Sequence, residues 1–320
     1  MIDLRHDGPY FFLGSLLGLA LVTIYLTFFP PRSRLSLPIS LRLETSLPSP
    51  LPTPAPTLTI LFVGDVMLGR KVNQTIHELA DPTWPFIQVG QTLRSSDLTY
   101  INLESPLITD CPVTPVGMKF CGSAQNVAGL VWAGVDIASL ANNHATNYGS
   151  AGLEETQQIL QNSGIAVTGI GSPTVVTKNN IPISFVSFDD VSRAISLDEL
   201  TQQIGEARAV SDLVIATFHW GSEYQSTPNP RQINLAHTAI DAGADLVVGA
   251  HPHWVQTHEL YQGKPIYYSL GNFVFDQEWS EETKTGLAVR FTYLNSELIN
   301  TEELPVYIRN FGQPQWSDPQ

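Results

Sequence analysis

Short apolar stretches alternate with amphipathic stretches along the chain from Leu58 onward. The apolar stretches have the length of buried strands, which are predicted at 58–64, 97–102, 136–141, 183–188, 212–218, 245–250, 265–270 and 287–293. The amphipathic stretches predict helices at 70–79, 124–132, 151–163, 197–208 and 230–242. Because largely apolar strands interleaved with helices are typical of sheets covered on both faces, the pattern predicts an α/β domain.

The beginning of the chain has a different pattern. Residues 10–29 carry no charged side chain, and a helix of that length spans about 30 Å, the thickness of a bilayer's hydrocarbon core. A small-residue cleavage site is absent after this stretch, where two phenylalanines and two prolines follow one another. We therefore predict a short flank at 1–9, an uncleaved transmembrane helix at 10–29, and an extended Pro/Ser/Thr-rich stalk at 30–57.

Two observations disagree about the orientation in the membrane. Three arginines lie in the stalk and only Arg5 precedes the anchor, which favours a cytoplasmic domain by the positive-inside rule. In contrast, Cys111 and Cys121 stand ten positions apart in a loop with Pro and Gly, where a disulfide would persist only in an oxidising compartment. Two unrelated free thiols are the alternative. We expect a single-pass membrane protein with an extracytoplasmic domain, although the distribution of arginines favours the opposite orientation.

Composition and charge exclude several classes of protein. The chain has 320 residues, 43% of them hydrophobic, which is enough for a large core and too much for a disordered chain. Thirty acidic and 16 basic residues give a formal charge of −14, which repels phosphate backbones. We therefore expect no nucleic-acid partner, although a bound metal ion would still attract an anion locally.

Polar residues follow five of the predicted strands. In α/β sheets, ligands bind beyond the carboxyl ends of the strands, where the loops converge. Carboxylate, amide and imidazole ligands together suit Mn, Fe or Zn better than Mg or Ca. The candidate metal ligands at these strand ends are Asp65, Glu104, Asn143, His219, His251 and His253.

Each of these residues also has a structural explanation by itself. Asp65 could cap the following helix, Asn143 could belong to a turn, and His219 could be a core histidine that binds backbone. His251 and His253 are harder to explain this way, because two histidines two positions apart in an extended segment point to one side. The coincidence at five strand ends is the argument for a metal centre.

Six ligands exceed the needs of one tetrahedral ion, so we expect two divalent ions that activate water and bind a phosphoryl or carbonyl oxygen. Since Asn143 supplies the amide ligand, the neighbouring His144 would be free to act as the catalytic general acid on the leaving group. Arg70, Asn272 and Asp276 lie near the predicted site and remain open between a ligand-binding and a structural role.

Six sequence blocks in this order resemble the CapA family of capsule and poly-γ-glutamate synthesis proteins. That family in turn is similar to the calcineurin-like metallophosphoesterases. The blocks are GDVMLGR (64–70), NLESPL (102–107), SLANNHATNYG (139–149), FHWGSEYQ (218–225), GADLVVGAHPHWVQ (243–256) and YYSLGNFVFDQ (267–277).

The resemblance implies a four-layer α/β/β/α sandwich of two mixed sheets, which we place at residues 58–310. The composition of the last residues separately predicts a loose tail at 311–320. It implies the same metal ligands, with Glu104 where the bridging aspartate usually stands and His144 as the catalytic histidine. This sequence departs from the phosphoesterase pattern at Met67, where a histidine is usual, and at Ala145, where an acidic residue is usual.

Two functions follow from these expectations. The first is a membrane-anchored protein of capsule or poly-γ-glutamate synthesis or export that hydrolyses a phosphodiester or a γ-glutamyl amide, with other membrane components of polymer synthesis as partners. The alternative is a non-catalytic assembly or export factor that uses the metal centre to bind an acidic polymer.

Overall fold

The computed structural model describes residues 57–317. The predicted flank at 1–9, the anchor at 10–29 and all but the last residue of the stalk at 30–57 therefore lie outside the described residues. Within 57–317, no helix is both long enough and apolar enough to cross a membrane.

Strands and helices alternate along the described part of the chain. The strands are β1 (Thr57–Val66), β2 (Leu98–Leu103), β3 (Leu107–Ile108), β4 (Gly122–Ser123), β5 (Ile137–Ser139), β6 (Ala166–Thr168), β7 (Thr174–Lys178), β8 (Ile181–Asp189), β9 (Leu213–His219), β10 (Leu246–Ala250), β11 (His258–Tyr261), β12 (Lys264–Tyr267), β13 (Asn272–Val274), β14 (Thr285–Leu294), β15 (Glu297–Arg309) and β16 (Gln313–Trp316). The α-helices are α1 (Arg70–Leu79), α2 (Gly90–Leu93), α3 (Val127–Ala133), α4 (Gly149–Asn162), α5 (Leu197–Arg208), α6 (Pro230–Asp241) and α7 (Glu281–Lys284). Short 3₁₀ helices occupy Trp84–Phe86 and Ala124–Asn126.

The helix starts have recognisable local causes. Ser196 accepts a hydrogen bond from the backbone N–H of Glu199 and so caps α5. Asn229 caps α6 in a capping box with Gln232, and Pro230 occupies the first helical position, where its missing N–H costs nothing. These signals explain why the amphipathic stretches begin where they were predicted.

Two mixed sheets form the centre of the domain. The first has the order β16-β15-β14-β1-β2-β5-β6, with β13 also paired to β1. The second has the order β11-β12-β10-β9-β8-β7. In the first sheet the parallel strands β1, β2, β5 and β6 form one half, and β14, β15 and β16 continue it antiparallel. In the second sheet a parallel centre carries an antiparallel strand at each edge, β11 against β12 and β7 against β8.

Three hydrophobic clusters separate four layers. The middle cluster joins the two sheets and includes Phe62 of β1 and Phe185 of β8. A second cluster packs the first sheet against the helices around Ile76 and Leu160. The third packs the second sheet against α5 and α6 through residues such as Leu200. The expected order of helices, sheet, sheet and helices is therefore present in residues 57–317.

The C-terminal region differs from the prediction. Residues 311–320 were expected to form a loose tail, but β16 (Gln313–Trp316) pairs antiparallel with β15. β15 was missed because most of its side chains are exposed, so it carries no apolar run. It follows β14 through Asn295 and Ser296, whose φ angles of 48° and 68° suit a tight hairpin turn. The order of this region depends on its neighbouring strand rather than on its own hydrophobicity.

Candidate metal centre

The predicted site residues lie together at the carboxyl ends of the parallel strands. Asp65 belongs to the end of β1 and pairs in register with Asn102 of β2. His219 ends β9 and pairs in register with Ala250 of β10. Because these strands belong to both sheets, ligands from the two sheets meet at one edge of the sandwich. Asp65, Glu104 and His219 have candidate ligand atoms within 4.8 Å of one another.

His219 is the centre of one group of contacts. Its Nε2 atom lies 2.9 Å from Asn143 Oδ1 and 3.1 Å from His251 Nδ1. Burial lowers the pKa of His219 well below its usual value and also lowers the pKa of His251, with the neighbouring histidines adding to both effects. Both rings are therefore neutral at neutral pH, which is the form that binds metal ions.

His253 is the centre of a second group. Its Nδ1 atom lies 3.1 Å from Asp65 Oδ2 and 3.0 Å from Asn272 Oδ1. The backbone N–H of His251 also donates to Asp65 Oδ2, over 3.3 Å. The prediction of an extended segment at His251 and His253 is wrong, because their φ angles are 95° and 58°. Positive φ angles are unfavourable for residues other than glycine. Here they direct the ring of His251 into the first group and the ring of His253 into the second.

Glu104 has a buried carboxylate without a partner. The residue is 0% exposed, and neither carboxylate oxygen accepts a hydrogen bond. Its Oε1 atom lies 3.8 Å from His253 Nε2 and 3.9 Å from His144 Nε2. Burial raises the pKa of Glu104 well above its usual value, and the negative charge of Asp65 raises it further. An isolated buried carboxylate is unfavourable unless a cation or donor compensates it.

These residues fit a divalent cation. The donors are two carboxylates, amide oxygens and imidazole nitrogens, the mixture that suits Mn, Fe or Zn. Neighbouring donors in both groups lie about 3 Å apart, as expected for ligands with metal bonds of about 2.0–2.2 Å. The two carboxylate oxygens of Glu104 are buried without a hydrogen-bond partner, which is unfavourable for a charged group. A bound cation would compensate their negative charge.

His144 stands beside these groups in a defined orientation. Its Nδ1 atom lies 3.2 Å from the side-chain nitrogen of Asn147, which can only donate. The proton of the neutral ring is therefore on Nε2, the atom that faces Glu104. Burial lowers the pKa of His144 to about 4. The ring is neutral at pH 7 and presents an N–H to the site.

Two further asparagines contact the candidate ligands, and the sequence pattern does not predict the role of Asn102. Asn102 donates to Asp65 Oδ1 over 2.8 Å and lies 3.2 Å from His219 Nδ1. Asn272, whose role was left open, is fully buried and contacts His253. Both residues occupy strands at the same edge as the ligands, and this position was the available signal.

Other residues left open have structural contacts. Arg70 forms an ion pair of 2.5 Å with Asp276, and its guanidinium lies over the ring of Phe120 at 4.8 Å. Met67 is fully buried, and its sulfur accepts a hydrogen bond from Gly69 N over 3.0 Å. Its side chain therefore packs in the core beside the site.

The fold and the site together define a mixed α/β domain with a buried centre of carboxylates, amides and histidines. Residues 59–277 match the family described as bacterial capsule synthesis protein PGA_cap. The chain belongs to this family, and the resemblance identified from the six sequence blocks is confirmed.

Two relatives from Bacillus are similar over most of the chain. The capsule biosynthesis protein CapA of Bacillus anthracis is 30% identical over 286 residues, covering 81% of this chain and 69% of the relative. The PGA biosynthesis protein CapA of Bacillus subtilis (strain 168) is 32% identical over 254 residues, covering 72% and 66%. The chain thus spans about two thirds of the length of these relatives.

The fold also has a likeness among solved structures. A hypothetical protein from Thermus thermophilus superimposes with a TM-score of 0.54 at 14% identity, covering 78% of this chain and 98% of the other. At this level of identity the likeness concerns the fold alone.

Proposed function

We propose that this protein acts in the synthesis or export of an acidic capsule polymer of the poly-γ-glutamate type. Membership of the PGA_cap family and the names of the two Bacillus relatives support this role. The observation that carries a metal-dependent role is the buried, unpartnered carboxylate of Glu104 among neutral histidines. An acidic polymer would be repelled by a chain of net charge −14 and attracted only to a cationic centre.

We assign the divalent ions to the two contact groups. Asn143, His219 and His251 would hold one ion, and their donor atoms lie within 3.1 Å of the shared His219 Nε2 atom. Asp65 and His253 would hold the other. Glu104 would serve this second group, since its carboxylate is 3.8 Å from His253. Mn, Fe and Zn suit these donors.

The chemistry proposed for the centre is hydrolysis of a phosphodiester or a γ-glutamyl amide. When bound, a divalent ion supplies positive charge that polarises the phosphoryl or carbonyl oxygen and lowers the pKa of water. His144 presents its Nε2–H to the same space and, as a neutral ring, would donate a hydrogen bond that stabilises the negative charge developing on the leaving group, which then takes its proton from water. Two mixed sheets between helices support the proposed likeness to calcineurin-like metallophosphoesterases.

A non-catalytic assembly or export factor is the second candidate. It is favoured by Met67, whose buried thioether replaces a ligand usual in phosphoesterases, and by Ala145, which replaces an acidic residue. Such a factor would use the metal centre to bind the polymer's carboxylates without cleaving it. Membrane components of polymer synthesis would be its partners in either case.

The membrane arrangement is part of the proposal. Cys111 and Cys121 form a disulfide, which confirms the predicted pairing and supports an extracytoplasmic domain. The predicted anchor at 10–29 would hold this domain at the membrane. Cysteine labelling of intact cells with an impermeant reagent, using single cysteines placed at Val116 and in residues 1–9, would test the orientation. Labelling at 1–9 but not at position 116 would contradict it.

The test of function compares the full-length protein with two variants. The protein is purified in detergent, loaded with Mn or Zn, and assayed on a generic phosphodiester and on a γ-glutamyl oligomer. We expect metal-dependent turnover, its loss in His144→Ala with metal content unchanged, and loss of metal in Asp65→Ala. If neither substrate is cleaved while the wild type binds metal and polymer, the assembly factor replaces the hydrolase. If Asp65→Ala and His251→Ala bind as much metal as the wild type, the metal centre is refuted.

A further inference from the structure

A loop closed by a disulfide lies beside His144. The bond between Cys111 and Cys121 closes residues 111–121, which we call the disulfide loop. Val116 and Met118 near its tip are 72% and 69% exposed, whereas Phe120 is 2% exposed. The loop therefore has a free tip and one buried aromatic residue directly before its second cysteine.

Phe120 packs against the ring of His144. The two ring centroids lie 4.1 Å apart, with an angle of 33° between the planes. The guanidinium of Arg70 lies over the same phenyl ring, 4.8 Å from its centroid. Phe120 is thus held in contact with both residues, and its ring limits rotation of the imidazole about its side-chain bonds.

Asn147 connects the same loop to the other side of His144. Its side-chain nitrogen lies 3.4 Å from the carbonyl oxygens of both Met118 and Phe120. The same nitrogen lies 3.2 Å from His144 Nδ1. Since this nitrogen carries two hydrogens, it can donate to the loop and to the imidazole together, which leaves the imidazole proton on Nε2.

The bridged ends of the loop are fixed to the rest of the domain. The sulfur of Cys111 lies 3.8 Å from Asn73 Nδ2. Asn73 Oδ1 accepts a hydrogen bond of 3.0 Å from the backbone N–H of Ser123, two residues after Cys121. Asn73 is 2% exposed on α1. The disulfide therefore joins two chain segments that both contact one buried side chain, and Phe120 directly precedes the second cysteine.

We propose that the disulfide loop is a brace that sets the ring orientation and the tautomer of His144, with Phe120 and Asn147 as positioning residues. The inference rests on the proposed function, in which His144 Nε2–H serves the leaving group. Phe120 restricts the plane of the ring, and Asn147 keeps the proton on the nitrogen that faces the metal centre. Without the disulfide, the loop loses the link that keeps Phe120 and the two carbonyls in place.

The experiment measures His144 directly and also measures turnover. Full-length protein in detergent is labelled with ¹⁵N-histidine, and long-range ¹H–¹⁵N spectra at pH 7 report the tautomer, with the His144 signals assigned by their loss in His144→Gln. The test variants are Asn147→Ala, Phe120→Leu and the double variant Cys111→Ser/Cys121→Ser. Val116→Ala is the control, because it changes the exposed tip of the same loop. Metal content and thermal unfolding show which variants remain folded.

We expect one Nε2–H tautomer for His144 in the wild type and in Val116→Ala. Asn147→Ala should give a mixture of tautomers, and all three test variants should lower kcat at least tenfold with KM within twofold of the wild type. Folded Asn147→Ala and Phe120→Leu proteins with wild-type spectra and kcat would contradict the proposal that the disulfide loop positions His144. If the wild type cleaves neither substrate, the hydrolase proposal fails. The histidine spectra then still test whether the disulfide loop sets the tautomer of His144.

Discussion

The side-chain amide of Asn102 donates a hydrogen bond of 2.8 Å to Asp65 Oδ1 across two neighbouring parallel strands. The same amide nitrogen lies 3.2 Å from Nδ1 of His219, a residue of the second sheet. One asparagine thus connects candidate ligands from both sheets. Residues that orient metal ligands in this way contribute to affinity without touching the ion.

We expect Asn102→Ala to weaken metal binding about 10–100-fold, the range for lost support of metal ligands. The physical reason is that Asp65 loses the hydrogen bond to its Oδ1 atom, and His219 loses the side chain that lies 3.2 Å from its Nδ1 atom. Isothermal titration of the metal-free protein with Mn or Zn measures the effect. Asn126→Ala is the control, because Asn126 is equally buried but contacts Leu68 and Asn73 instead. Equal losses in the two variants would contradict a specific role.

Glu104→Gln should have opposite effects with and without metal. The folded protein raises the pKa of Glu104, so keeping this carboxylate ionised at pH 7 costs free energy, and the cost falls as the pH drops and the group is protonated. The neutral amide removes that cost, and we expect the metal-free protein to gain on the order of 1 kcal/mol. The added stability on metal loading should fall strongly. Urea unfolding with EDTA and with Mn measures both. A variant stabilised by Mn as much as the wild type would contradict a ligand role.

Gly64→Ala should destabilise the domain and weaken the metal centre. A Cβ atom at Gly64 would lie 2.1 Å from Gly271 O, so β1 and the segment leading into Asn272 would have to separate. Overpacking of this kind costs about 1–3 kcal/mol. Gly205→Ala on α5 is the control: nothing lies within 4 Å of its Cβ position, and alanine in a helix gains about 0.5–1 kcal/mol. Equal unfolding midpoints in the two variants would contradict the close approach.

The ion pair of Arg70 and Asp276 should contribute to stability through its burial. The two side chains are 11% and 6% exposed, and removal of one partner of such a pair costs about 3 kcal/mol. We expect Asp276→Ala to show this loss in urea unfolding, and Arg70→Met/Asp276→Leu to lose less than the sum of the single variants. Arg193→Ala is the control, because its ion pair with Glu199 is exposed and should matter little. Additive single effects would contradict the coupling.

Much of the fold follows from the local hydrophobic pattern. The eight predicted strands and five predicted helices are all present in residues 57–317, because buried strands such as β9 and amphipathic helices such as α6 carry their own periodic signal. β15 and β16 carry no such signal. Their exposed or short segments become strands only through pairing with β14 and with each other. The hydrophobic pattern of such a segment does not show that a neighbouring strand pairs with it.

For the candidate site, too, some features follow from the sequence and others only from the tertiary structure. The sequence by itself determined which strand ends carry carboxylates, amides and imidazoles, because parallel strands in alternation with helices bring their carboxyl ends to one edge. It favoured a pairing of Cys111 with Cys121 over two free thiols, and the structure shows that pairing. Only the tertiary structure decided that Asn102 joins Asp65 to His219, that His251 and His253 turn into separate groups, and that Phe120 packs on His144. These relationships depend on backbone angles and on contacts between segments far apart in the chain, and such contacts exist only after the two sheets have packed together.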